Sequence, residues 1–336
     1  MQATHLLVGN PAAQSGKNAE RIDLALRLLG DAGVSAELFS TLPEGKTVAA
    51  LKDALDAGAH RVVIAMGGDG TFREVASGVL SSTRHAELTL GLLPTGTAND
   101  QAKSFGLEPS PPALARNVAV IAAGHEGRLD AGVLRLGESF TPPPIYFFDS
   151  AGWGLSARVL AQRNRDRRTV AALGPLELLY RDHAVYAGAL LKTFLESYVV
   201  PDKMHVTLVL DGVKHELEGV SDIIVKNTRV YAGAWVLDRT ARHDDGLFEI
   251  VPFRGKRDWT SKAIVDLEGN PITEGMLNEL GIEHSHPLRG ASIDLELTPP
   301  SGGAPLAAQL DGEEWPASQK VRINVLPRAI RMIVPA

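Results

Sequence analysis

Through the first third of the chain, short β-branched apolar runs alternate with amphipathic segments, and this alternation restricts the fold more than any other feature. The runs lie near residues 4–8, 34–39, 61–66 and 88–93. Helix-spaced apolar stripes fall between them near 17–29, 47–57 and 71–80. A βαβαβαβ order predicts a parallel sheet covered on both faces. Ligands of such sheets bind outside the carboxyl ends of the strands. Three loops are expected there, at residues 10–15, 67–71 and 94–100.

The third strand and its helix read RVVIAMGGDGTFREVASGVL. Phe72, Val75, Ala76, Val79 and Leu80 make the helical stripe. Thr71 and Glu74 match a capping box, which predicts a helix start at Thr71. Free amides at that start suit a phosphate. Gly67, Gly68 and Gly70 are expected to allow close backbone approach and positive φ. Asp69 would repel a phosphate unless Mg²⁺ lies between them or the carboxylate joins the chemistry. GNPAAQSGKN at 9–18 is no Walker A loop, since too many residues separate its glycines and Asn replaces Ser/Thr, and the 67–71 turn is no dinucleotide fingerprint, since Arg73 stands where G-x-G-x-x-G needs its third glycine. The next loop, PTGTAND, repeats the strand–loop–helix logic, with Thr97 supplying a hydroxyl and Asn99 and Asp100 suited to cap a following helix.

With 336 residues the chain is long enough for two domains, and 44% hydrophobic content supports a sizeable core. A net charge of −6 argues against a nucleic-acid-binding surface, and no nucleic-acid partner is expected. The absence of cysteine removes disulfides and thiolate metal sites and fits a cytoplasmic chain. No signal peptide or bilayer-spanning run is evident, so any membrane contact is expected to be peripheral.

After residue 124 the pattern becomes short alternating strands, near 129–136, 145–148, 204–210, 221–227, 248–253, 292–298, 306–310 and 321–325. These predict an antiparallel β-rich domain, a two-sheet sandwich, with helices near 176–198 and 259–267. LVLDGVKHEL reads as a hairpin with Asp211 in a type I′ turn. LAAQLDGEEW fits a hairpin and a functional acidic segment evenly.

Taken together, GGDGT at 67–71 and PTGTAND at 94–100 resemble the catalytic-domain family of diacylglycerol kinases, sphingosine kinases and bacterial lipid kinases. Further matches are Asn10-Pro11, DDGLFE at 244–249 and LDGEEW at 310–315, in the same order through nearly the whole chain. GGDGT alone is shared with NAD kinases and phosphofructokinases; the combination is more specific. The resemblance implies an α/β nucleotide domain over 1–125 and a β-rich lipid-substrate domain over 126–336. The extreme C-terminus would pack back on the first domain, with ATP bound in the cleft between them. It places nucleotide contacts at Thr41, Gly67, Gly68, Asp69, Gly70, Thr71, Phe72, Arg73, Thr97, Asn99 and Asp100. Glu313, Asp311 and Asp69 would be catalytic, one of the first two deprotonating a lipid hydroxyl; the sequence leaves open which. A structural Mg²⁺ would take the Asp245 carboxylate and the carbonyls of Arg242 and Leu247, an oxygen-only set suited to a hard cation. Asn10 and Asp130 would line the cleft.

The expected function is therefore an ATP- and Mg²⁺-dependent lipid kinase of phospholipid metabolism, transiently at the membrane surface; a homodimer is left open. The rivals are an NAD kinase-like phosphotransferase and a catalytically silent nucleotide- or lipid-binding regulator. RNRDRR at 163–168 reads as a solvated loop rather than an anionic-lipid contact. His284 and His286 read as surface residues, and the apolar face of 173–200 as core or lipid wall.

Overall fold

The computed structural model describes residues 4–96, 98–137, 144–171, 202–231, 235–236, 238, 240–255, 287–303 and 305–336. The first third forms β1 (His5–Gly9), α1 (Lys17–Asp31), β2 (Ala36–Ser40), α2 (Thr47–Ala57), β3 (Val62–Gly67), α3 (Asp69–Ser81), β4 (Thr89–Pro94), α4 (Asp100–Ser104) and α5 (Leu114–Ala123). The strands pair in the order β2-β1-β3-β4, all parallel. Register aligns their carboxyl ends: Gly9 pairs with Ser40 and Met66, and Gly67 with Pro94. The three candidate loops therefore share one sheet edge. Both faces of the sheet are covered, one by a core that includes Leu51, Leu55, Phe72, Val75 and Val79 from α2 and α3. The other carries Ile22, Ala25 and Leu29 of α1 against Leu114, Val118 and Ile121 of α5.

The remainder forms β5 (Glu126–Leu136), β6 (Ile145–Phe147), β7 (Ser150–Gly154), α6 (Leu155–Ala171), β8 (Met204–Leu210), β9 (Val213–Val220), β10 (Asp222–Lys226), β11 (Val230–Tyr231), β12 (Trp235–Val236), β13 (Phe248–Phe253), β14 (Leu288–Gly290), β15 (Ser292–Thr298), β16 (Ala308–Leu310), β17 (Glu313–Trp315) and β18 (Lys320–Ile333). One sheet runs β14-β13-β10-β7-β16-β17; facing it, β15, β8 and β9 extend from β18. Alternation puts Val206, Leu208, Leu210, Ile293, Leu295 and Leu297 inward against Trp153, Ile223, Val225, Phe248 and Ile250 of the other sheet. This is the expected sandwich. Asp211 (φ 48) and Gly212 (φ 84) form the expected turn between β8 and β9.

Three expectations change. The segment 163–168 lies within helix α6, not a loop. β7 and α6 were absent from the sequence reading. β18 runs on to Ile333, past an irregularity between Leu326 and Ile330 where Arg328 has φ 53. It pairs with β5 along most of its length and, in parallel, with β4 through Arg331 and Met332. The helices expected near 176–198 and 259–267, and His284 and His286, lie outside the described residues. Among the described residues, no helix is long and apolar enough to cross a membrane.

Candidate active site

Strand β3 delivers its glycines to the N-terminus of α3. The helix starts at Asp69, two residues before the expected start, with Gly68 as N-cap and no side-chain cap. Thr71 is thus its third residue, and no capping box forms. The first amide to find a helical acceptor is that of Phe72, which donates to Gly68 O at 3.0 Å. The amides of Asp69, Gly70 and Thr71 are left for a ligand.

None of Gly67, Gly68 and Gly70 has positive φ. Each sits at a close approach instead. A Cβ on Gly67 would overlap the Thr71 side chain, and one on Gly70 the Glu313 carboxylate. A Cβ on Gly68 would lie 3.2 Å from Gly96 Cα. The 67–71 and 94–100 loops thus touch backbone to backbone, and Thr95 N donates to Gly67 O at 2.9 Å.

Asn99 adopts a left-handed conformation (φ 54) and laces the second loop: Oδ1 accepts from Gly96 N at 2.9 Å and Nδ2 donates to Gly96 O at 2.7 Å. Asp100 is buried at the start of α4. Asp69 Oδ1 accepts from Gln101 N at 3.2 Å, so this carboxylate joins the two loops. Burial, then the neighbouring Asp149 charge, pushes its pKa up to about 6. Thr97 lies outside the described residues.

Thr41 is half-buried at the end of β2, its amide donating to Gly9 O at 3.0 Å. Asn10 is exposed; its Oδ1 accepts from Ala12 N at 3.0 Å, and its carbonyl accepts from Asn18 Nδ2 at 2.7 Å. Phe72 corrects the expected nucleotide contact. Its side chain is core, edge-on to Phe148 at 5.9 Å, and its amide is used within the helix.

Opposite these loops, Asp311 (φ 47) and Gly312 (φ 74) form the tight turn between β16 and β17. The turn sends Asp311 and Glu313 to different places. Asp311 is buried, and its carboxylate accepts from the amides of Phe148 (3.0 Å), Asp149 (2.7 Å) and Ser150 (3.0 Å). Burial, then Asp149, pushes it up to about 7 against the pull of Arg73 and those amides. Glu313 is half-exposed and reaches back over Gly70, where Arg73 Nη2 donates to its Oε2. The Arg73 guanidinium stacks on Trp315, 4.9 Å from the ring centroid.

Asp130 does not line a cleft. It is fully buried, accepting from Gly246 N (2.7 Å) and Arg328 N (2.5 Å), while its own amide donates to His243 O (2.7 Å). It thereby clamps the 243–246 loop to β18, and burial raises its pKa. Asp245 is exposed on that loop; its Oδ1 accepts from Leu247 N at 3.1 Å. The second Asp245 oxygen is an acceptor without a bond to Leu247 N, and Asp244 and Asp245 add negative charge around Asp130. That chemistry fits Mg²⁺. Among the described residues no three His, Asp or Glu side chains converge as a metal site, so carbonyls would carry the coordination.

Following the same loop, Glu249 is fully buried, and neither carboxylate oxygen has a hydrogen-bond partner among the described residues. Arg289 approaches at 3.2 Å, yet burial pushes Glu249 up to about 8 from an ordinary 4.5. The native state then keeps a proton that the unfolded chain has lost, so stability falls as pH rises between about 4.5 and about 8. Glu249→Gln is expected to flatten that fall in thermal-unfolding scans from about pH 5 to about pH 9, leaving the part due to Asp311 and Asp69. An unchanged slope would contradict the assignment.

Sequence reasoning missed the segment 148–150 that holds Asp311, and its partner Lys226. One signal was available: a lysine ends the apolar run DIIVK of a strand buried on both faces, where a charge needs a partner.

The parallel α/β sheet turns its two glycine loops toward the β-sandwich, and this fold is shared with a solved structure. A solved diacylglycerol kinase from Bacillus anthracis str. Sterne superposes with a TM-score of 0.66 at 17% identity, covering 99% of this chain and 97% of that one. Residues 4–134 match the profile of the "Diacylglycerol kinase catalytic domain". Similar full-length relatives are "Probable lipid kinase YegS-like" of Klebsiella pneumoniae (strain 342) and "Probable lipid kinase YegS" of Salmonella arizonae. Each is 28% identical; the first match covers 95% of this chain and 93% of the relative, the second 96% and 94%. The family match spans the α/β half of the fold, and the similarity to these relatives runs through nearly the whole chain.

Proposed function

We propose that this chain is an ATP- and Mg²⁺-dependent lipid kinase that transfers the γ-phosphoryl group to a hydroxyl of a membrane-derived lipid. The observation that carries the reading is the meeting of Glu313 with the amide-bearing start of α3 across Gly70. A base and a phosphate seat thus lie within one side chain of each other. The amides of Asp69, Gly70 and Thr71 hold phosphate oxygens, and the helix dipole favours the negative charge there. Glu313 accepts the hydroxyl proton as that oxygen bonds to the γ-phosphorus; the bond from phosphorus to the β–γ bridging oxygen breaks and ADP leaves. Asp311, saturated by three amides, holds the β16–β17 turn in place rather than taking the proton. Arg73 fixes the direction of Glu313. Asp69 would hold a Mg²⁺ that neutralises phosphate charge, and the Asp245 carboxylate with the Arg242 and Leu247 carbonyls would hold a second ion that steadies the 243–247 loop. The lipid is met from the cytoplasmic side by transient contact with the membrane surface.

Purified chain incubated with γ-labelled ATP, Mg²⁺ and a bacterial lipid extract is expected to label a chloroform-soluble product. Label appearing only in NADP, or in nothing, would overturn the reading. For the loop metal, added Mg²⁺ is expected to raise the parent's melting temperature by mass action and to leave Asp245→Ala unmoved. Equal responses would remove that site.

A further inference from the structure

Lys226 is 1% exposed at the end of β10. An ammonium buried this deeply is tolerated only when paired and hydrogen-bonded. Its Nζ donates to Asp149 Oδ1 and to Thr228 Oγ1 (3.2 Å), and it lies 5.6 Å from the Tyr231 ring. Asp149 also accepts from the Thr228 and Ser150 hydroxyls, while its amide donates to Asp311. Two buried carboxylates, Asp149 and Asp311, and the partly buried Asp69 therefore gather beneath the glycine loops. Two cations face them: Arg73 near the surface, tied to Glu313, and Lys226 at the floor. Asp149 and Lys226 act on Asp69 in opposite senses, the first disfavouring its charge and the second favouring it.

We propose that Lys226 is the charge-balancing residue of the phosphate site: its ammonium, seated on Asp149, offsets the carboxylates under the loops so that a polyphosphate can settle on the amides of residues 69–71. Without it, two or three negative charges in a dry pocket would oppose the incoming anion. The inference rests on the nucleotide-binding part of the function proposed above and adds a residue to it. Lys226 touches neither the phosphate nor the reacting atoms; it acts through Asp149 and Asp69.

The test is ATP binding by calorimetry, in Mg²⁺ buffer, to the full chain and to Lys226→Met, Asp149→Asn and the double variant. Lys226→Met is expected to weaken binding by about tenfold or more, as loss of one buried cation beside an anion should. Asp149→Asn is expected to bind as tightly as the parent or more tightly. The double variant, which restores the parent's net charge, is expected to return within a few-fold of it. A purely structural ion pair makes a different pattern: both single variants lose stability, and neither changes the affinity of the folded protein. If Lys226→Met does not fold, the other two variants decide, and weakened binding in either overturns the proposal. Parental affinity in folded Lys226→Met overturns this proposal alone. A parent that binds no ATP overturns it together with the proposed function.

Discussion

Glu313→Gln is expected to lower turnover by about 10²–10⁴-fold, the range typical of a lost general base. Binding should survive, because the phosphate amides belong to α3 and the substitution removes a negative charge from beside them rather than a donor. ATP affinity is therefore expected to stay equal or rise slightly. Asp311→Asn should behave differently. Asn-Gly serves a type I′ turn as well as Asp-Gly does, so the backbone (φ 47 and 74) tolerates the change. The new amide nitrogen would, however, face the Phe148 N–H if it took the place of Oδ2, or the Asp149 and Ser150 N–H groups if it took the place of Oδ1. Leaving buried donors unmet costs about 1–3 kcal/mol. The expected result is a lower melting temperature and a moderate loss of turnover from a displaced hairpin. Steady-state kinetics beside thermal melts separates the two variants. Equal, catalytic-sized losses at parental stability would return the base to Asp311.

Gly96→Ala is expected to abolish detectable ATP binding. A Cβ there would overlap Gly68 Cα and lie 3.1 Å from Gly68 N. Both obstacles are backbone, which cannot rotate aside as a side chain would. The two loops must part, carrying the 69–71 amides out of register with the second loop. Overpacking of this kind costs about 1–3 kcal/mol, so a chain of this size should remain folded. Gly30→Ala supplies the control: its added Cβ meets nothing within 4 Å inside α1, and alanine is the better helix former. It should bind ATP like the parent and melt no lower. Full binding by folded Gly96→Ala would dissociate the second loop from the phosphate site.

The parallel half of the fold was legible because its signals are local. Each β-branched run and each helical stripe reports on itself, and β1 to β4 fall within a residue or two of expectation. Glycine loops at strand ends likewise marked the right sheet edge. Of the two properties expected of these glycines, close approach is found and positive φ is not, and the contact of Gly68 with Gly96 joins two loops that local reading cannot pair. β7 was invisible for a related reason: SAGWG has no alternation, being buried on both faces and pressed by β10 and β16. Pro327 broke the periodicity of β18, so the strand read as ending at residue 325. In the fold it continues because β4 and β5 supply partners that sequence spacing does not reveal. Asp311 was ambiguous in the sequence because it is at once a turn residue and the acceptor for three amides.

The pairing of β18 with β4 also bears on the order in which the protein acquires its structure. β4 is made early, and all six of its residues are buried in the finished sheet. Until β18 emerges, β4 is a bare apolar edge, the kind of strand that recruits other chains. The α/β half must wait for a contact of very high sequence separation, and such contacts slow folding. A fragment ending before β18 should collect in inclusion bodies, and its solubility should be restored by supplying β18 as a separate peptide. On the ribosome, the exposed interval lasts for the synthesis of nearly the whole sandwich, a period in which chaperone dependence should be greatest.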